Sequence, residues 1–263
     1  PLLSPDDEFA DFETWDFGNL HVLNTVPKEA GQIEFEYARS ALKNGLREAA
    51  RTGTNPFKFG MIGSTDAHTS LATAAEDDFW GKTTNVEPGP RSKNVSMSLG
   101  DTPGSVLFDT WDFVASGYAA VWATENTREA IFAAMQRKEV YATTGSRIAV
   151  RLFGGWDFDA MDLDRPDAVR HGYRNGVPMG GDLNSGEGKT PGFLVTAMKD
   201  PRGANLDRVQ IVKGWLEADG TLNEKVYDVA LSDERRKYLG RVRPVGSTVD
   251  AETGSYSNSI GAA

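Results

Sequence analysis

The sequence contains no cysteine and only three histidines. The missing cysteines exclude disulfides, thiolate nucleophiles and thiolate metal sites together, and they leave the compartment open, cytoplasmic or exported. Long apolar runs are missing too. None approaches the roughly 20 residues of a membrane-spanning helix, so no membrane partner is expected. Positive charge is scarce: 28 Lys and Arg against 38 Asp and Glu leave a formal net charge of -10. A nucleic-acid surface normally needs a basic stripe, and no nucleic-acid partner is expected. A phosphate substrate bound through a metal stays compatible, because a bound cation dominates the charge of its own site. No G-x-S-x-G is present, so serine-nucleophile chemistry has no support. The glycine pairs Gly154-Gly155 and Gly180-Gly181 read as turns rather than as a P-loop.

What is there suits a globular protein with a substantial core, in one large domain or two modest ones. From Ile33 to Arg51 the apolar residues Tyr37, Ala41, Leu42, Leu46 and Ala49 recur at helical spacing, and Gly53, Asn55 and Pro56 end the pattern. "FKFGMIG", Phe57 to Gly63, is short, apolar and glycine-bounded, which predicts a buried strand. Together they predict an αβ unit of an α/β architecture. Ser64 to Gly117 is rich in Gly, Pro, Ser and Asn and reads mostly as loop. A second helix is predicted at "NTREAIFAAMQRK", with Asn126 and Glu129 as a capping box and Ile131, Phe132 and Met135 as its apolar stripe.

After Gly145 the texture changes. "RIAVRLFGGW", "GFLVTAMKD", "DRVQIVKGWLEA" and "KVYDVALSD" are short runs rich in Val, Ile and Leu, separated by turn residues. They predict an antiparallel sheet or sandwich without a confident helix between its strands. A domain boundary is placed near Gly145, giving an α/β part at 1–145 and a β-rich part at 146–263.

"GMIGSTDAHTS" carries the most chemical interest. Asp66 and His68 follow the predicted strand directly, where α/β folds often present functional groups. A carboxylate and an imidazole are ligands expected of a hydrolytic zinc, manganese or iron site. Their i, i+2 spacing converges on one ion only in extended or irregular backbone, which Gly63, Ser64, Thr65 and Ala67 permit. A cap or an ordinary turn uses the same residues, and two ligands do not complete a site. Glu76, Asp77 and Asp78 read as a solvated acidic turn or as carboxylates that orient His68. His21 has no second histidine at position 23, and His171, in "AVRHGYRNG", reads as a surface residue. Lys82 and Arg91 are candidates to meet an anion, though solvated charge explains both.

The stretch "EFEYARSALKNGLREAARTGTNPFKFGMIGSTDAHTSLATAAEDDFWGK" resembles domain of unknown function 3604, a family of uncharacterised bacterial proteins. "GYAAVWATENTREAIFAAMQRKEVYATTGSRIAVRLFGGWDF", "GVPMGGDL" and "DPRGANLDRVQIVKGWL" resemble its later segments. That family looks related to the PHP (polymerase and histidinol phosphatase) metal-dependent hydrolases. The resemblance implies a distorted β/α barrel whose strand ends hold divalent metal (Zn, Mn or Fe), followed by a β-rich extension. It makes Asp66 and His68 the closing ligand pair. It implies hydrolysis of a small anionic or phosphorylated substrate, a phosphoester, by metal-activated water. The opening H-x-H of such sites is absent here, so the implied fragment is the carboxyl-terminal portion of an enzyme. Its partner would be the missing amino-terminal part, and alone it would be inactive. Two other readings stay open: an amidohydrolase-like metal enzyme acting on an amide or lactone, and a non-catalytic β-rich binding module.

Overall fold

The computed structural model describes residues 32, 35, 37–65, 67–68, 96–98, 107–109, 117–186, 188–250, 253 and 255–262. Helix α1 spans Ala38–Thr52 and stops where Gly53 turns left-handed (φ 80°) and donates its N–H to Ala49 O. It starts later than its apolar pattern suggests, because Tyr37 is extended and caps the helix only through its carbonyl, which accepts from Ala41 N–H.

The segment after α1 corrects an expectation. Residues 57–63 form no strand, and Phe59, Met61 and Ile62 are 40%, 44% and 55% exposed. A strand is defined by a ladder of backbone bonds. Here the contact is a touch at the end: Gly63 N–H donates to Tyr118 O at 3.2 Å. Apolar composition alone does not separate those two outcomes.

Two three-residue strands, β1 (Ser96–Ser98) and β2 (Leu107–Asp109), pair antiparallel within the loop-like middle. Then β3 (Tyr118–Val121) and β4 (Val140–Thr143) pair antiparallel around α2 (Arg128–Gln136). The α2 cap lies one residue beyond the predicted box: Thr127 is the N-cap, and its side chain accepts from Ala130 N–H. Its buried residue is Ala134, while Phe132 of the expected stripe is 60% exposed.

The second half is built from small antiparallel sheets, as its alternating runs predict. In the first, β5 (Ala149–Gly155) is the centre, flanked by β6 (Gly176–Pro178) and β7 (Gly192–Met198). Phe153 and Leu194 sit opposite each other across β5 and β7 and are both buried. Between β5 and β6 the chain makes a 3-10 turn (Ala160–Asp164) and helix α3 (Ala168–Asn175), which the polar "AVRHGYRN" conceals. Gly172 explains the concealment. It lowers helix propensity, yet it faces the Phe153 ring, and a Cβ there would come within 2.5 Å of it.

Strands β8 (Arg208–Leu216) and β9 (Leu222–Leu231) form a long hairpin with a bulge beyond Val209. Helix α1 packs on this hairpin, so the contact crosses the expected boundary at Gly145. Two-residue strands β10 (Lys237–Tyr238) and β11 (Arg241–Val242) follow, and Leu206 bridges Ala262. The described residues are thus β-rich with few helices, and no barrel closes among them.

Candidate functional site

The region leading to His68 is organised by a crossing of glycines. A Cβ at Gly63 would lie 2.7 Å from Tyr118 O and 2.8 Å from Thr143 O. One at Gly117 would lie 2.9 Å from both Ser64 N and Thr143 O. Real Cβ contacts do not come that close, so the 63–64 backbone lies directly against the β3–β4 pair only because both positions lack a side chain. Beyond the crossing, Thr65 Oγ1 accepts from Ala67 N–H at 3.4 Å, opening a turn, and His68 is exposed. Asp66 lies outside the described residues, as do His21, Glu76, Asp77, Asp78, Lys82 and Arg91.

A hydrolytic metal takes about three protein donors and keeps one position open. Among the described residues no group of three or more His, Asp or Glu is arranged to hold an ion. His68 has the right donor chemistry, but the described residues alone do not make a complete site.

His171 is not the surface residue that its polar neighbourhood suggests. Its side chain is 18% exposed, Nε2 lies 3.1 Å from Asp162 Oδ1, and its ring is 5.6 Å from that of Phe158. Asn175 Nδ2 lies 3.0 Å from Nδ1. An amide donor on Nδ1 and a carboxylate on Nε2 assign the ring proton to Nε2. Both nitrogens are then engaged, and none is left to act as a base. Asp162 is itself occupied, since its Oδ2 accepts from Asp159 N–H at 3.0 Å in a capping box. The His171–Asp162 pair fastens α3 to the 3-10 turn.

The Gly188-Lys189-Thr190 stretch also invites a phosphate-loop reading. Leu183 stands where such a loop needs its first glycine, and Lys189 Nζ pairs with Asp157 at 2.7 Å.

Spacing along the chain gives no sign of a polar and aromatic cluster that joins β5 and α3 to the residues just after β3 and just before β4. Glu139, 5% exposed, accepts from Arg137 Nε at 2.7 Å on one oxygen and from Tyr173 Oη at 2.7 Å on the other. Burial and the Glu139 carboxylate push the Tyr173 phenol above its usual range. Arg151 of β5 lies over Trp122, with Cζ 3.6 Å from the ring centroid. These residues are spread over fifty positions, and only the fold unites them.

No curated protein and no solved structure matches the chain. One family model, described as "Protein of unknown function (DUF3604)", matches residues 1–263. The chain belongs to the DUF3604 family.

Proposed function

We propose that this chain is part of a metal-dependent hydrolase of PHP type, supplying Asp66 and His68 as one end of a divalent-metal site. The carrying observation is the glycine crossing. It sets the 63–64 backbone against β3 and β4 immediately before the D-x-H, so the motif starts from a point that the fold holds. Exposure of His68 keeps its imidazole within reach of an ion. The remaining donors are assigned to residues outside this chain, in a barrel of which 1–145 is the closing part and 146–263 a β-rich extension. When bound, the metal supplies a hydroxide at neutral pH and stabilises charge on a phosphoryl oxygen. Asp66 and His68 bind and orient; neither transfers a proton in this reading.

The test compares this chain, an intact protein that includes the upstream region, and its Asp66→Ala and His68→Ala variants. Metal content and hydrolysis of phosphomonoesters, phosphodiesters, amides and lactones are measured with added Mn²⁺ or Zn²⁺. The expected result is phosphoester turnover by the intact protein alone, lost with metal in either variant. Turnover of amides or lactones instead would move the enzyme to the amidohydrolase class. An intact protein that takes up no metal would refute the reading.

A further inference from the structure

We propose that Arg151, stacked on Trp122 and edged by Tyr173, anchors a binding site for the carboxylate of a small organic monoanion. Other guanidinium groups that the fold covers meet carboxylates: Arg39 pairs with Glu224, and Arg208 and Arg235 pair with Asp207. Arg151 differs. It lies 3.6 Å from the Trp122 centroid and 5.8 Å from that of Tyr173, and among the described residues no carboxylate comes within ion-pair distance of it. Its hydrogen bond is a long one, from Nη1 to Tyr173 Oη at 3.5 Å. A guanidinium has five N–H donors in one plane. The Trp122 ring lies on one side of the group and Tyr173 takes one donor, so donors remain for an acceptor.

The surroundings are held in place before any ligand arrives. Trp122 Nε1 donates to Val150 O at 2.9 Å, and Trp122 N–H donates to Glu139 O at 2.9 Å. Tyr173 donates its proton to Glu139 Oε2, so its oxygen meets Arg151 only as an acceptor. Its ring is locked edge-on against buried Phe153, centroids 5.0 Å apart. The cation is thus positioned by Trp122 and Tyr173, and a carboxylate can accept two parallel bonds from such a fork.

Charge narrows the ligand. Arg151 and Arg137 against Glu139 leave one net positive charge in the cluster, which suits a monoanion. A phosphate dianion would meet the repulsion of Glu139 with too little compensation. The Trp122 and Tyr173 rings flank the cation and suit an apolar or aromatic ligand body. Benzoate is therefore the probe.

The experiment titrates the isotope-labelled chain with sodium benzoate, sodium phosphate or sodium chloride at matched ionic strength. Trp122 Nε1–H and Arg151 Nε–H are followed by NMR. EDTA is present throughout, so the result stands apart from the metal-site reading. Benzoate should give saturable shifts at both groups and chloride none. Arg151→Lys keeps the charge but not the fork, and should weaken binding on the order of tenfold while the spectrum stays dispersed. Absence of saturation in the unmutated chain overturns the proposal, whatever the variant does. So does benzoate affinity unchanged by Arg151→Lys, or phosphate binding at the same groups as tightly as benzoate.

Discussion

Glu224 of β9 grips Arg39 of α1 across 185 residues of chain: Arg39 Nε donates to Oε2 at 2.9 Å, Nη2 reaches Oε1, and Lys43 one turn later lies 3.2 Å from Oε2. The carboxylate is 7% exposed. Replacing it leaves a half-buried guanidinium without its bidentate partner, beside a lysine whose stem lies over Gly214. Glu224→Ala should therefore cost about 1–3 kcal/mol. Urea denaturation of Glu224→Ala, Arg39→Ala and the double variant measures it. Strict additivity would show that the pair, although formed, couples α1 to the hairpin weakly.

The same carboxylate belongs to a group that titrates abnormally. Burial pushes Glu224 up, but its bonds to Arg39 and Lys43 outweigh that and hold it below its ordinary value of 4.5. Burial also raises Asp207, against the stronger pull of Arg208, Arg235 and the Val245 N–H. Asp228 follows the same rule, with Gln210 and Lys237 lowering it. All three folded-state values are depressed, so the unfolded chain binds more protons as pH falls through this range. Their contribution is complete above the unfolded values and is lost below about pH 4.5. Thermal melts from pH 7 to pH 3 should hold roughly level and then drop, and Glu224→Gln should make the drop shallower. A melting temperature that rises below pH 4 would contradict these pairs.

Gly63→Ala tests the crossing that leads to the D-x-H. A methyl group there meets carbonyl oxygens of β3 and β4, those of Tyr118 and Thr143, at under 3 Å, and backbone cannot swing aside as a side chain does. Destabilisation of about 1–3 kcal/mol is expected. In the intact protein, metal affinity should fall with it, since the loop's starting point moves. Gly220→Ala is the control: its φ is +86°, but nothing lies within 4 Å, so only the left-handed backbone cost of roughly 1–2 kcal/mol applies. Equal effects at both positions, with metal binding unchanged, would remove the crossing from the argument.

Where local pattern matched local cause, the sequence was readable. Helix α1 and strands β5, β7, β8 and β9 announce themselves through periodicity and bounding turn residues. "FKFGMIG" failed because burial depends on what lies opposite, and composition does not report a partner. Helix α3 failed because Gly172 answers to Phe153, nineteen residues away in sequence. The α2 cap slipped by one residue because Asn126 and Thr127 are both good caps, and only backbone geometry chooses between them. Asp66-x-His68 was visible as a motif, whereas the Arg151 cluster was not. Its stacking and hydrogen bonds join residues 122, 139, 151 and 173, and no spacing rule connects those numbers.

Gly172→Ala sets two effects of opposite sign against each other. Alanine in place of a mid-helix glycine gains about 1 kcal/mol of helix propensity. Its methyl group, however, would stand 2.5 Å from Phe153 Cδ2, inside a ring that is 4% exposed and packed against Leu194 and Tyr173. Overpacking of that kind costs about 1–3 kcal/mol, so the clash should win and the variant should be less stable. Phe153→Leu removes the ring atoms in question and opens a cavity by itself, yet combined with Gly172→Ala it should lose less than the sum of the two. The double variant should also release Tyr173 from its edge-on contact. Benzoate affinity at Arg151 would then fall even though Arg151 and Trp122 are untouched. Full additivity in denaturation, with benzoate binding intact, would show that Phe153 neither limits position 172 nor positions Tyr173.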